Sequence, residues 1–344
     1  MEPRVKELFA SHILNGTIQS FGIAPDKAQI LDGFESFIYN VEKDGQDYIL
    51  RIGHDSRRTA DLVQGESEFL NHLSQGGLSV PRVIPSINGR LVEQIPAVDG
   101  SHFLGTLFAK APGHPPLAEQ WTPALFSNMG AFLGKLHRLS KAFQPSEPRF
   151  ARYDIERDFQ EMIEIGENFL PPEDHAIIDA YLVTTEKIRQ LPKDPESYGL
   201  CHVDFHRGNF FLTDEGKITL FDFDDCQYAP FIYDIAMALF YAIDPDTTTP
   251  EALAEARKFL SNFWRGYQTT NTLGSEWLEA IPLFLRLREI DLYFVIHRSM
   301  DMQNLDRWCA RYMHGRREKI LNQVPFCGID YHNLASLTGH RHSR

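Results

Sequence analysis

Several features are scarce in this 344-residue sequence, and each scarcity excludes a class of protein. Its four cysteines show no CxxC spacing, so we predict reduced thiols rather than a zinc knuckle or a disulfide framework. No stretch approaches the roughly 18 apolar residues of a membrane span, and the opening MEPRVKELFASHIL predicts an amphipathic helix rather than a signal peptide. Basic residues are outnumbered, and a formal net charge of −13 argues against nucleic-acid or anionic-membrane partners. We therefore expect a soluble, cytoplasmic protein.

The length and the pattern of the chain predict two lobes. A chain of 344 residues is long for one core. Residues 20–113 show β-type runs separated by Asp-Gly turns, which predict a five-stranded antiparallel sheet with one helix after the third strand. After the APGHPP segment, apolar residues recur with helical spacing. We predict an α+β protein with an N-terminal lobe over 1–112 and a larger, mainly helical lobe over 113–344.

The stretch GLCHVDFHRGNFFLTDEGKITLFDFDDCQY, residues 199–228, concentrates the polar chemistry of the chain. His202 and His206 are four residues apart, which on a helix would make a pair of zinc ligands. The glycines and the flanking β-type runs predict a loop rather than a helix here, and no HExxH pattern is present. The sequence therefore does not predict a histidine zinc site.

Asp204, Asn209 and Asp222 in this stretch suit phosphoryl transfer. Asp204 and Asn209 lie five apart on one loop, and Asp222 ends the strand after a DEG turn. Phosphoryl transfer needs a carboxylate that orients the acceptor hydroxyl, together with oxygen ligands that hold Mg²⁺ on the nucleotide phosphates. Each residue alone would be an ordinary turn residue, but the spaced set is far more specific.

HVDFHRGN followed by LFDFDD resembles the motif of aminoglycoside phosphotransferases, choline kinases, homoserine kinases and fructosamine kinases. These enzymes form the small-molecule branch of the protein-kinase fold. The downstream YAPFIYDIAMAL is similar to a helix of the same family, and the resemblance spans about residues 20–300. It implies a two-lobed protein-kinase-like fold, with the N-terminal lobe binding ATP or GTP and the C-terminal lobe carrying the catalytic and acceptor sites.

The resemblance also implies roles for individual residues of the loop. Asp204 would be the catalytic carboxylate, and Asn209 and Asp222 would be the Mg²⁺ ligands. His202 would hold the loop in place. For His206, a contact with phosphate and an ordering role in the loop are equally open.

In the N-terminal lobe, the resemblance implies that a basic residue of the third strand reaches the phosphates and pairs with a glutamate on the next helix. In YILRIG this position is Arg51, where the wider fold has lysine. The partner is either Glu66 or Glu68. Because Glu66 shares the apolar helix face that packs inward, we predict Glu66.

The remaining nucleotide contacts depart from the protein-kinase pattern. DGFESFIYNV has only Gly33 where protein kinases carry GxGxxG, and the resemblance implies that Gly33 to Phe37 cover the phosphates with backbone N–H groups. In LFAKAPG, the backbone of Ala109 and Ala111 would contact adenine. Asp224 replaces the glycine after the Asp-Phe pair, and a structural role for it is left open.

The acceptor is the least determined part of the prediction. The segment 154–174 is strongly acidic, which indicates either a solvated helix face or the rim of a site for a cationic small molecule. The helix around Arg288 either lines the acceptor pocket or belongs to the core. We expect a cationic small-molecule hydroxyl acceptor; an amino-alcohol or homoserine kinase, a protein serine/threonine kinase and a catalytically silent nucleotide-binding module remain as alternatives. A monomer or a homodimer is expected.

Overall fold

The structure is a computed structural model that describes residues 3–31, 33, 35–244 and 249–338. The chain forms two compact units. The first comprises residues 1–114, 142–152 and 211–224, and the second comprises 115–141, 153–210 and 225–344. The division into an N-terminal lobe over 1–112 and a helical lobe over 113–344 stays a prediction.

An antiparallel sheet is the centre of the first unit. Its strands lie in the order β1-β2-β3-β6-β4, and β5 also pairs with β6. The turn between β2 and β3 has positive φ at both Asp44 (52°) and Gly45 (77°), as a type I′ hairpin turn requires. The strands are β1 (Ala28–Leu31), β2 (Phe37–Lys43), β3 (Gln46–His54), β4 (Val83–Ile84), β5 (Glu93–Pro96) and β6 (His102–Ala109).

Three helices accompany this sheet. The predicted amino-terminal helix is divided into α1 (Pro3–Leu8) and α2 (Ser11–Ser20), and the predicted helix after the third strand is α3 (Ala60–Gln75). Thr59 caps α3 by accepting the N–H of Leu62. A Cβ added to Gly65 would lie 1.9 Å from the Phe150 carbonyl oxygen, so the close approach of segment 148–150 to α3 requires glycine.

The second unit is mainly helical. Glycine allows α4 and α8 to pack closely, because a Cβ on Gly130 would lie 1.8 Å from the carbonyl oxygen of Phe263. Among the described residues, no helix is both long and apolar enough to cross a membrane. The helices are α4 (Pro123–Ser140), α5 (Ile155–Phe169), α6 (Ala176–Arg189), α7 (Ile232–Ala242), α8 (Pro250–Tyr267), α9 (Ile281–Ser299), α10 (Arg307–Met313), α11 (Arg316–Leu321) and α12 (Tyr331–Thr338).

Four short strands frame the polar stretch of residues 199–228. In the second unit β7 pairs with β10 in antiparallel register, with Cys201 opposite Gln227. A second pairing joins β8 and β9 into a hairpin. The loop 202–209, which follows β7, is therefore not helical, in agreement with the sequence. These strands are β7 (Tyr198–Cys201), β8 (Phe210–Leu212), β9 (Ile218–Leu220) and β10 (Gln227–Pro230).

Candidate active site

The loop that carries Asp204 is held in a strained conformation by one buried carboxylate. Val203 has a φ of 61°, which is rare for a β-branched residue because its side chain crowds the backbone there. Asp234, in the first turn of α7, accepts the N–H of His202 at 2.9 Å and the N–H of Val203 at 2.5 Å. Such strain persists only when the surroundings hold it, and here Asp234 supplies that support.

Asp234 is itself fixed from two other helices. His137 of α4 contacts Asp234 through Nε2 at 2.9 Å and Tyr267 of α8 through Nδ1 at 2.9 Å. Burial lowers the pKa of His137, so its ring is neutral and Nε2–H donates to the carboxylate. With the proton on Nε2, Nδ1 accepts from the Tyr267 hydroxyl. Three helices thus determine where the loop begins.

His137, Cys201 and Asp234 also have ligand atoms within 4.8 Å of one another, a spacing compatible with a metal ion. Their atoms are already engaged, however. Both oxygens of Asp234 accept backbone N–H groups, and the Cys201 thiol lies 3.5 Å from the Ala229 carbonyl oxygen. We interpret the group as the anchor of the loop.

Both carboxylate oxygens of Asp204 are contacted by polar side chains of the second unit. Its Oδ1 accepts a hydrogen bond from Arg288 at 3.1 Å, and its Oδ2 accepts one from the Asn209 amide at 2.9 Å. His206 Nε2 lies 3.3 Å from the same Oδ2. Burial alone would raise the pKa of Asp204, but the His206 hydrogen bond and the Arg288 charge outweigh it and hold the pKa below its usual range. The carboxylate is therefore ionised and oriented at neutral pH.

Both loop histidines have defined tautomers. His202 is fully buried, and its Nδ1 accepts the N–H of Asp204 at 3.1 Å. His206 Nδ1 accepts the N–H of Gly208 at 2.9 Å, so its proton is on Nε2, which faces Asp204. In this structure His206 orders the loop; the alternative of a phosphate contact stays a prediction.

Arg288 contacts the catalytic carboxylate predicted from the sequence, a contact that sequence analysis could not identify. Its guanidinium also donates to the Tyr241 hydroxyl of α7, and burial raises the pKa of Tyr241 to about 12, so the phenol stays protonated. Another polar residue of α9 has a structural partner instead. Glu289 pairs with Arg316 at 2.7 Å, and both side chains are only 1% exposed.

We expect Arg288→Gln to lower kcat by roughly tenfold, with little change in nucleotide affinity. The charge-assisted hydrogen bond that orients Asp204 would be lost. Steady-state kinetics would measure this, with Arg286→Gln as a matched control, because Arg286 lies on the same helix and donates instead to the Ile320 carbonyl. An increase in kcat would mean that Arg288 restrains Asp204 rather than positioning it.

The two predicted magnesium ligands belong to different compact units, and each is compatible with a hard cation. The Asn209 amide nitrogen donates to Asp204, which directs its oxygen away from that carboxylate. Asp222 is exposed and has a φ of 65°, a second strained position in the polar stretch. Amide and carboxylate oxygens are the donors that Mg²⁺ prefers, so the residue types fit the ion.

Arg51 and Glu66 form a bidentate ion pair in the first unit. The Arg51 guanidinium donates to the two Glu66 oxygens at 2.9 and 2.6 Å, and it lies 5.0 Å from the centre of the Phe108 ring. Glu68 instead accepts the N–H and the hydroxyl of Ser146. The structure therefore has the predicted pairing, and its role toward a nucleotide stays a proposal.

The other residues that are predicted to bind the nucleotide belong to the same unit. A Cβ on Gly33 would come within 2.3 Å of the Ser36 carbonyl oxygen, so this close approach requires glycine at position 33. Phe34, which belongs to the predicted phosphate-covering segment, lies outside the described residues. The Ala109 N–H donates to the Arg82 carbonyl at 2.8 Å, so this N–H is not available to adenine. The predicted adenine contact at Ala111 is untested.

A sheet unit with one inserted helix after the third strand, and a helical unit with an Asp–Asn loop, define the protein-kinase-like class of phosphotransferases. The family model described as "Phosphotransferase enzyme family" (APH) matches residues 28–273. The chain belongs to this family. It is a kinase that transfers phosphate to a hydroxyl group of a small molecule, and the predicted family, fold class and activity are confirmed.

The most informative relatives are amicoumacin kinases. The Amicoumacin kinase of Bacillus subtilis (strain 168) is 34% identical over 332 residues, which cover 96% of this chain and 98% of the relative. A solved amicoumacin kinase, hAmiN in complex with AMP-PNP, Ca²⁺ and Ami, is 31% identical with a TM-score of 0.90 and covers 97% of this chain and 100% of its own. AMP-PNP is an ATP analogue and Ca²⁺ is a divalent cation, so the ligands of this similar kinase agree with the prediction of ATP and a divalent metal.

A more distant structure shares the fold. The microcompartment-associated aminopropanol kinase has a TM-score of 0.72 at 20% identity and covers 91% of this chain and 98% of its own.

Proposed function

We propose that this enzyme transfers the γ-phosphate of ATP to a hydroxyl group of amicoumacin or a chemically similar cationic molecule. The observation that carries the proposal is the geometry around Asp204, an ionised carboxylate with both oxygens oriented by Arg288, Asn209 and His206. Full-length similarity to amicoumacin kinases supports the choice of acceptor.

In the proposed mechanism, Asp204 orients the acceptor hydroxyl and accepts its proton late in the reaction. A carboxylate with a depressed pKa is a weak base, which suits a loose transition state in which the hydroxyl keeps its proton until bond formation is advanced. Asn209 and Asp222 would hold Mg²⁺, which neutralises charge on the phosphates. Arg51, held by Glu66, would bind phosphate oxygens.

The proposed contacts with the nucleotide are those that the family resemblance implies. Gly33, the backbone of Ala111 and the carbonyl group of Ala109, whose N–H is engaged by Arg82, are proposed to complete the nucleotide site of the N-terminal lobe, residues 1–112. Residues 113–344 would supply the catalytic loop and the acceptor site. We further propose a cytoplasmic enzyme that acts as a monomer or homodimer.

A cationic acceptor is supported by Asp158 more than by the acidic segment as a whole. Glu156, in the same segment, is paired with Arg189 at 2.8 Å, as expected of an ordinary surface residue. Asp158 differs, because burial and the neighbouring Asp225 raise its pKa to about 6. Burial and Asp158 likewise raise the pKa of Asp291 well above the usual value. Arg288 opposes this rise in both pKa values, and a bound ammonium group would add to its effect by favouring the ionised carboxylates.

The test is a coupled nucleotide-turnover screen of amicoumacin, aminoglycosides, amino alcohols, hydroxy amino acids and neutral sugars, with ATP and GTP. We expect turnover with amicoumacin or a cationic amino alcohol, and a KM that rises with added salt because exposed charges are screened within about 8–10 Å. Turnover with neutral sugars alone, without salt dependence, would contradict the cationic acceptor and leave the kinase activity standing.

Asp158→Asn should raise the KM of the cationic acceptor by roughly fivefold and leave the nucleotide KM unchanged, because one attracting charge is removed. Glu167→Gln is the matched control, an exposed acid of the same helix. Equal effects of the two substitutions on the acceptor KM would mean that the overall negative charge of the protein, rather than Asp158 itself, attracts the acceptor.

A further inference from the structure

Four arginines converge on Asp224 within the first unit. The Arg57 guanidinium makes an ion pair with the Asp224 carboxylate, and Arg51 Nη1 lies 3.7 Å from its other oxygen. The backbone carbonyl of Asp224 accepts hydrogen bonds from Arg152 at 2.6 Å and from Arg58 at 3.4 Å. The position that carries glycine in protein kinases therefore carries a carboxylate placed between two guanidinium groups.

The backbone contacts hold the main chain of Asp224 independently of its side chain. Arg152 is 5% exposed and also donates to the Leu62 carbonyl at the start of α3, so it ties the backbone of Asp224 to that helix. The Asp224 side chain is 15% exposed and that of Arg57 is 29% exposed. Because both side chains are partly exposed, a change of the Asp224 rotamer would separate the carboxylate from both guanidinium groups without moving the backbone.

A cavity lies directly beside this ion pair. Its lining includes Arg51, Arg57 and Asp224, and also Glu35 and Ser36, two residues of the segment after Gly33. Two guanidinium groups that line one cavity make a good environment for phosphate, which arginine binds with two parallel hydrogen bonds.

We propose that Arg57 binds the nucleotide phosphates together with Arg51, and that Asp224 is an internal anion that a phosphate group displaces from both arginines. This inference rests on the proposed function, because it assumes that the first unit binds a nucleoside triphosphate. It adds Arg57 as a phosphate-binding residue outside the sequence motif. It also makes Asp224 a competitor that lowers the affinity for the nucleotide.

The test compares the affinities of AMP-PNP, tripolyphosphate and adenosine, with and without Mg²⁺, by isothermal titration calorimetry on the full chain. Arg57→Gln should weaken AMP-PNP and tripolyphosphate by about tenfold, the scale of one charge-assisted interaction, and leave adenosine unchanged. Arg57→Lys should retain part of the affinity. Asp224→Asn should tighten both phosphate ligands by about three- to tenfold, because the competing charge is removed.

The double variant tests whether the two residues act on each other. Most of the gain from Asp224→Asn should disappear when Arg57→Gln is also present, because the released guanidinium is then missing. Arg4→Gln and Asp99→Asn provide a matched control, since they break an exposed ion pair of 2.9 Å in the same unit. These two variants should bind AMP-PNP like the wild type.

The possible failures can be distinguished. Wild-type protein that binds AMP-PNP normally, with Arg57→Gln and Asp224→Asn unchanged in affinity but lowered in thermal stability, would reduce the cluster to a structural ion pair. Variants unchanged in both affinity and stability would likewise overturn the inference alone. A Mg²⁺-dependent loss of affinity in Asp224→Asn would also overturn it, because Asp224 would then support the metal. A wild-type protein that does not bind AMP-PNP would overturn the proposed function and this inference together.

Discussion

Asp204→Asn should lower kcat by at least about 10²-fold, the scale of positioned acid–base catalysis, with nucleotide affinity changed less than twofold. The substitution keeps the size of the side chain but removes the charge that orients the acceptor hydroxyl. It also places an amide against the donors of Arg288 and Asn209, which both point at the carboxylate oxygens. Turnover should therefore fall even when nucleotide and acceptor are saturating.

Asp222→Ala provides the contrast for this prediction. If Asp222 is a metal ligand, its loss should remove the Mg²⁺-dependent part of the nucleotide affinity, whereas Asp204→Asn should not. Calorimetry with and without Mg²⁺ measures that difference, and a thermal melt verifies that both variants fold. The same nucleotide-binding defect in both variants would show that the assignment of roles is wrong.

The sheet unit was predictable because its signals are local. Asp-Gly turns separate β2 from β3 and precede β6, and a capped apolar pattern marks α3. The sequence analysis missed β4, since its two residues, Val83 and Ile84, are too few to show a period. It also gave one amino-terminal helix where the structure has two, because α1 and α2 continue a single amphipathic pattern across Phe9 and Ala10.

The candidate site was predictable only where motif residues are close in sequence. Asp204 and Asn209 are five residues apart, and the loop fixes their hydrogen bond. Arg288 is 84 residues from Asp204 and reaches it only because α9 packs in the second unit. Nothing in the local pattern distinguishes Arg288 from a surface arginine. The sequence therefore could not decide whether its helix lines the acceptor pocket or belongs to the core. His137 and Tyr241 gave no signal for the same reason.

Asp234 gave a partial signal, as part of the helix YAPFIYDIAMAL that resembles the family, but its role as the anchor of the loop emerges only from the structure. It lies in the apolar helix α7 and is completely buried. A buried carboxylate is stable only when donors surround it, and here the donors are two backbone N–H groups of the strained loop and the ring of His137. The catalytic loop and the core of the second unit therefore depend on one side chain.

Asp234→Ala should accordingly destabilise the second unit by about 3–5 kcal/mol, because two backbone N–H groups and His137 would lose their buried acceptor. Denaturant unfolding followed by tryptophan fluorescence would measure it. The matched control is Asp179→Ala, an exposed acid in the first turn of α6, which should cost only about 0.3–1 kcal/mol through the helix dipole.

Below the unfolding transition, Asp234→Ala should still show low kcat with near-normal nucleotide affinity, since Val203 would no longer be held at a positive φ next to Asp204. Equal stability losses in the two variants, or full turnover by the folded Asp234→Ala protein, would show that the loop keeps its conformation without this carboxylate.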